Sequence, residues 1–460
     1  MKINNPFYIS GLIVIVALVF LMFFKNQPAK AQYSESINWS DVPEIIDSIR
    51  EPVFRKVDYL ITDFEANSTD ALPAIKKAIK KANKEGGGRV IIPKGNWFSK
   101  GPIHLKSNVN LHISEGALVT FSENPEDYLP QVLTRWEGTE VFNFSPLIYA
   151  YQVHNVAITG KGSIDGNAED GFATWRDLQG KAQNRLREMG KNGAPVYERV
   201  FGMDDYLRPS MIQFFGSTQI LIEGVSIHNS PMWVNHIIYS SHVTVRDVTV
   251  ESYRLNNDGV SIDSSTLVLI EKNSFSTGDD SIVIKSGRDQ DGWRVAKPSE
   301  YIIIRNNYME GHNALAVGSE MSGGVRYIFM ENNSMGKVSS AIYFKSNLDR
   351  GGFIENVRVR NIEVQKADIL LRFSTNYHSY KGGVYPALYR DFIIENVTAE
   401  KVNIAVKVTG ISELPIQDVL VKNVTVDQAD VVQQIKYVQN LIYDNVEING
   451  KIVEVDLIEK

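Results

Sequence analysis

Ile222-Glu-Gly-Val225 returns as Val245-Arg-Asp-Val248, Ile270-Glu-Lys-Asn273, Ile304-Arg-Asn-Asn307, Met330-Glu-Asn-Asn333, Val359-Arg-Asn-Ile362, Ile394-Glu-Asn-Val397, Val421-Lys-Asn-Val424 and Tyr443-Asp-Asn-Val446. The pattern is apolar, charged, Asn-like and usually apolar. Its period is irregular, roughly 22 to 35 residues, as stacked turns give when loops vary while strands keep register. Asparagine tolerates tight turns, and amides at equivalent positions can hydrogen-bond along a column. Elsewhere the chain reads as short strands punctuated by glycine and asparagine, as over residues 89–93, 109–113 and 117–121. One coil is too small to bury its own apolar residues, and stacking makes one continuous interior. The expected fold is therefore all-β, a right-handed parallel β-helix. A leucine-rich horseshoe needs denser leucine, and a propeller needs antiparallel hairpins with two-residue turns.

Upstream of the repeats one helix stands out. Leu72, Ile75, Ile79 and Ala82 recur at helical spacing, Ser68 to Asp70 offer capping oxygens, Pro73 falls in the first turn and Gly86-Gly87-Gly88 ends it. It is expected to cap the solenoid, with Lys76, Lys77, Lys80, Lys81 and Lys84 on a solvated face. Residues 173–189 read as a polar, helical insertion reaching out from the body.

Residues 1–31 carry Lys2, an apolar run and Ala29-Lys30-Ala31, the pattern of a signal peptide or an N-terminal membrane anchor. Residues 32–57 read as a connector and residues 58–460 as one catalytic β-helix, a length and a 43% hydrophobic content that suit one elongated domain. The expected location is exported, periplasmic or extracellular, with membrane contact only through that anchor. With no cysteine, neither a disulfide nor a lipid-modified thiol is available. A net charge of -6 without a basic run argues against a nucleic-acid partner.

The unusual polar residues all fall downstream of the same strand. Asp258 lies eleven residues after Asp247, Asp279 and Asp280 seven and eight after Lys272, His312 six after Asn306, and Lys345 thirteen after Asn332. Coils about 4.8 Å apart would gather them on one face. Each alone reads more readily as an exposed turn, a satisfied histidine or a solvated lysine. Four sites converging on one face argue for function. Three carboxylates together suit glycosidic hydrolysis, in which one protonated carboxyl serves the leaving oxygen and a carboxylate activates water, about 6.5 to 9.5 Å away in an inverting enzyme. Like charges held close keep one member protonated. His312 would help hold that state, and Lys345 would meet a substrate carboxylate.

At these residues the chain resembles glycoside hydrolase family 28, the polygalacturonase family, of the bacterial exo-acting kind, with a pectin-lyase-like solenoid. The likeness runs from Ile61-Thr62-Asp63-Phe64 to about Val446 and includes Asn229-Ser230-Pro231-Met232-Trp233 and Gly318-Ser319-Glu320-Met321. The family's Asn-Thr-Asp motif corresponds to Asn256-Asn257-Asp258 and its Asp-Asp pair to Asp279-Asp280. That likeness implies Asp279 as general acid, with Asp258 and Asp280 activating water. Gly-His-Gly appears as Gly311-His312-Asn313, and Arg-Ile-Lys as Tyr343-Phe344-Lys345, which removes an arginine that grips the galacturonate carboxylate. Asn256, Lys345, Tyr343, Lys285 and Arg288 are the expected substrate-binding residues, with Tyr343 stacking on a sugar face. Lys285, Arg288, Arg294 and Lys297 together read either as attracting an anionic chain or as a solvated loop. Trp233 and Tyr239 either line the cleft or fill the core. The implied partner is a pectic poly- or oligosaccharide, hydrolysed without cofactor or metal. Alternatives are a hydrolase of rhamnogalacturonan or a decorated uronan, a β-helical lyase, and a non-catalytic carbohydrate-binding or adhesive β-helix.

Overall fold

The computed structural model describes residues 37–377 and 382–456. The signal-peptide or anchor reading of residues 1–31 lies outside the described residues. Strands pair in parallel from coil to coil along almost the whole chain. In the repeat column, Thr218–Glu223 pairs with Ser241–Arg246, that with Thr266–Glu271, that with Ser299–Arg305, and the series continues into Val325–Lys345. From there the coils run as long, bent strands, Phe353–Ser374, Leu388–Thr409 and Ile416–Lys436. The result is the right-handed parallel β-helix expected from the repeat.

Each position of the repeat has its own physical duty. The first residue enters the core: Ile222, Val245, Ile270, Ile304 and Val359 are fully buried. The third turns the chain, and all nine occupants from Gly224 to Asn445 have positive φ, which explains why asparagine and glycine recur there. The amides of Asn332, Asn361, Asn396, Asn423 and Asn445 form the expected column, with links of 2.9 to 3.2 Å. A second, buried column joins Asn273 to Asn307 at 2.9 Å and Asn307 to Asn333 at 3.0 Å.

Two N-terminal helices bracket the solenoid. Helix α1 (Val42–Ser48) lies within the segment read as a connector and packs Val42 and Ile45 on the outward residues Leu269, Ile303 and Phe329. Its segment runs against the direction of the coils. Trp39 Nε1 donates to Glu395 at 2.9 Å, Arg50 N to His242, and Val53 exchanges two hydrogen bonds with Asn155. The segment is thus a strap. Its weak sequence pattern follows from docking on the outside of the sheet, where each coil supplies only a contact or two. Helix α2 (Leu72–Lys84) caps the first coils, burying Leu72, Ala74, Ile75, Ala78, Ile79 and Ala82. Asp70 Oδ1 accepts from Leu72 N at 3.1 Å.

Two excursions rise beside the sheet that carries the unusual polar residues. One is an antiparallel hairpin of Val132–Trp136 and Thr139–Asn143. The other is the expected insertion, a 3-10 turn over Phe172–Asp177 followed by helix α3 (Gly180–Lys191). Phe172 and Trp175 pack edge-on among Phe144 and Tyr206, which anchors the insertion to the body. Helix α4 (Asp289–Val295) packs against α3.

Candidate active site

Strand alternation decides which side chains reach the site. On one sheet Val260, Ile262, Ile282, Ile284, Leu315, Val317, Ile342 and Phe344 point into the core, so Ser261, Asp263, Val283, Lys285, Tyr343 and Lys345 point outward. The aspartates precede these strands: Asp258 before Val260–Asp263, and Asp279-Asp280 before Ile282–Lys285. Gly278 lets the chain pass against the previous coil, since a Cβ there would lie 2.2 Å from Tyr253 O. That close approach lets Asn256 N donate to Asp279 Oδ2 at 3.1 Å.

Asp258, Asp279, Asp280, Lys285, Arg288, His312, Lys345 and Asn256 line one pocket of about 620 Å³. Lys345 Nζ holds both oxygens of Asp280, at 3.0 and 2.8 Å, and Asn313 Nδ2 donates to Asp280 Oδ1 at 2.8 Å. Asn313 therefore serves the pair directly where the family's motif has a glycine. Burial alone would raise Asp280, but Lys345 and Lys285 outweigh it and keep its carboxyl below the usual range. Burial, then the neighbouring Asp280, raises Asp279. Burial also raises Asp258 well above its ordinary value, against the opposing charge of Lys285 at 3.5 Å, and Asp279 adds to the rise. One carboxyl is thus held ionised beside two that favour protonation.

Asp279 is the carboxyl that reaches solvent, its side chain 22% exposed against 3% for Asp258 and 2% for Asp280. His312 Nδ1 lies 4.0 Å from Asp279 Oδ1 and is half-exposed. Asp279, Asp280 and His312 bring ligand atoms within 4.8 Å of one another. The nearest oxygens of Asp279 and Asp280 are thus closer than the gap anticipated for an inverting pair, because consecutive residues at one strand entry cannot diverge far. With Lys345 committed to Asp280, the cluster is built for proton transfer.

One expectation changes and two open alternatives narrow. Tyr343 does not line the pocket; it is 2% exposed, covered by the Arg372 guanidinium at 4.2 Å and flanked by Tyr377, so it cannot stack on a sugar. Arg294 is paired with Glu140 and Asp291, and Lys297 Nζ donates to Tyr239 O, so both are spent away from the pocket. Tyr239 is half-buried beneath Arg135. Trp233 lines the pocket while packing in a satellite core, with Lys285 Nζ 4.6 Å over its ring.

Other lining residues were given no site role from the sequence, although Glu320 lies in a stretch that carries the family likeness. Glu320 accepts from Lys285 at 3.1 Å and Arg288 at 2.7 Å and faces Arg350 at 3.5 Å; these three cations hold it well below its ordinary value despite burial. Glu137, from the hairpin, meets Arg187 at 2.8 Å and Arg288 at 3.3 Å, while Gln183 and Asn184 descend from α3. Glu320 follows the end of a site strand, as Asn347 does, which is the signal that could have found it. The α3 residues come from a segment outside the repeat and carry no such signal.

The description "Glycosyl hydrolases family 28" matches residues 89–446. The chain is 26% identical over 423 residues to a "Probable polygalacturonase" of Vitis vinifera, covering 87% of this chain and 79% of that one. It is 28% identical over 378 residues to the "Exo-poly-alpha-D-galacturonosidase" of Dickeya chrysanthemi, covering 75% of this chain and 62% of that one. The crystal structure of a hyperthermoactive exopolygalacturonase from Thermotoga maritima superposes with a TM-score of 0.87 at 39% identity, over 90% of this chain and 96% of that one.

Proposed function

The chain belongs to glycosyl hydrolases family 28, and from that premise we propose that it hydrolyses galacturonate-containing pectic chains from one end, with Asp279 as general acid and Asp280 as the base that activates water. The observation that carries this reading is the split within one cluster. Asp280 is locked as a carboxylate by Lys345 and Asn313, while Asp279, a residue away and open to the pocket, is pushed toward the protonated form. Asp279 gives its proton to the glycosidic oxygen as the bond breaks, and Asp280 takes one from the attacking water. Asp258, buried beside Lys285, orients that water, and His312 stands over Asp279.

Exo action is supported by the wall that α3 and the hairpin set on the pocket, through Gln183, Asn184, Arg187 and Glu137, and by the exo-acting enzymes of Dickeya and Thermotoga that the chain is similar to. Export is proposed on residues 1–31 alone. The test is a time course on defined oligogalacturonates. Release of one short product from the first minutes, without internal cuts, supports exo action, and the anomer of that first product by NMR reports inversion. Random fragments of intermediate length would overturn the exo reading. Unsaturated, ultraviolet-absorbing products would overturn hydrolysis itself.

A further inference from the structure

The outward positions of the site sheet continue past the pocket, and their charges are unlike those of the sheet bearing the repeat column. In register, Ala316, Tyr343, Arg372, Lys407 and Gln434 follow one another, one coil each, beside Gly318, Lys345, Ser374, Thr409 and Lys436. From Tyr343 to Lys436 these positions hold four cations and no acid. Among the described residues, Arg372, Lys407 and Lys436 have no carboxylate within ion-pair distance.

The sheet bearing the repeat column behaves in the opposite way. There Arg246, Arg305, Arg326, Arg360, Arg390 and Lys422 each meet an acid on an adjacent coil, Glu223, Glu271, Glu300, Glu331, Glu355 and Asp444, at 2.5 to 3.1 Å. The repeat-column sheet thus pairs its cations from coil to coil, whereas the site sheet beyond Lys345, which holds Asp280, does not; elsewhere on the solenoid the in-register row of Lys337, Lys366 and Lys401 meets no acid among the described residues either. Arg372 is also held in place: its guanidinium lies 4.2 Å over the buried ring of Tyr343, whose other neighbours are Tyr377 and Lys345. An arginine laid on an aromatic shelf keeps its donors free in the plane. Coils about 4.8 Å apart set these cations at a spacing commensurate with successive units of a linear polyanion.

We propose that Arg372, Lys407 and Lys436 form a track that binds the carboxylates of a uronan chain where it runs beyond the pocket, so that the enzyme favours long substrates over short ones. This rests on the galacturonan reading above and deepens it, since the cation lost at Tyr343 is supplied from the next coil. The track holds substrate and takes no part in bond cleavage.

The experiment has two arms. In the first, KM is measured for oligogalacturonates of increasing length with the full chain and with Arg372→Ala, Lys407→Ala and the double variant. The defect should grow with substrate length, reaching roughly three- to tenfold per cation for long chains at low salt and shrinking as salt is added. Equal KM values for parent and variants at every length would overturn the track. In the second arm, polygalacturonate binding to Asp279→Asn is compared with and without Arg372→Ala, using uncharged dextran as control. Weaker polygalacturonate binding on loss of Arg372 supports the track even if no uronan is cleaved; unchanged binding overturns it. Inactivity of the parent chain on every galacturonan would instead strike the hydrolase reading.

Discussion

Lys345 Nζ grips both oxygens of Asp280, at 3.0 and 2.8 Å, with the lysine and the aspartate sixty-five residues apart in sequence and both buried. The pair sets the ionisation of the cluster. Removing the ammonium leaves a buried carboxylate with Asn313 and the more distant Lys285. Lys345→Met should therefore raise the Asp280 pKa and move the acidic limb of the kcat profile to higher pH. It should also lower stability by about 3 to 5 kcal/mol, read by denaturant titration. An unmoved acidic limb would remove Asp280 from the role of base.

Asp279→Asn keeps the shape and hydrogen-bond reach of the side chain but cannot donate a proton as an acid. The expected loss in kcat is on the order of a hundred- to ten-thousandfold, with no loss of thermal stability at neutral pH, because the folded pKa of Asp279 is raised. The unmodified enzyme should show a bell-shaped profile. Activity falls at low pH as Asp280, held below its ordinary value, takes a proton, and falls at high pH as Asp279, raised by burial and by Asp280, loses one.

Asp258 gives a test of opposite sign for stability. Its folded pKa is raised, so its contribution to stability is present at low pH and is lost as pH rises toward and through the folded value. Asp258→Asn should be more stable than the parent at neutral pH while losing most turnover, and the stability gain should vanish below about pH 4, where the unfolded carboxyl is also protonated. Thermal melts across pH, together with initial rates, check both halves.

The solenoid and its repeat column were readable because one physical period governs them. An apolar residue, a charge and a left-handed turn recur whatever the loop lengths, and all nine turn residues obey it. The carboxylates were readable because Asn256-Asn257-Asp258 and Gly278-Asp279-Asp280 sit at strand entries within that period. Tyr343 misled because sequence position gives its direction, outward, but not what covers it; Arg372 and Tyr377 arrive from the following coil and loop. Glu137 and Arg187 were hidden because the hairpin and α3 lie outside the repeat, and their contacts depend on how those excursions fold back.

The buried asparagine column offers a stability test remote from the pocket. Asn307→Ala removes the acceptor of the buried Asn273 N and one of the two acceptors of Asn273 Nδ2, while Asn333 Oδ1 keeps the backbone N–H of residue 307. The expected loss is about 1 to 3 kcal/mol for the backbone N–H of Asn273 left unsatisfied. Asn423→Ser, in the exposed column, should cost well under half of the Asn307→Ala loss, because water can replace its amide links. Paired denaturant titrations decide it.

The strap changes what kind of object the solenoid is. A stack of coils in which each touches only its neighbours can fray from either end without consulting the middle. Here the hydrogen bond from Trp39 to Glu395 spans 356 residues, and the same segment returns to Asn155 before entering the first coil. Loosening a late coil therefore loosens the beginning of the chain, and the strap can seat only after the distal coils have been laid down, so the molecule should melt as one clasped body instead of unzipping rung by rung.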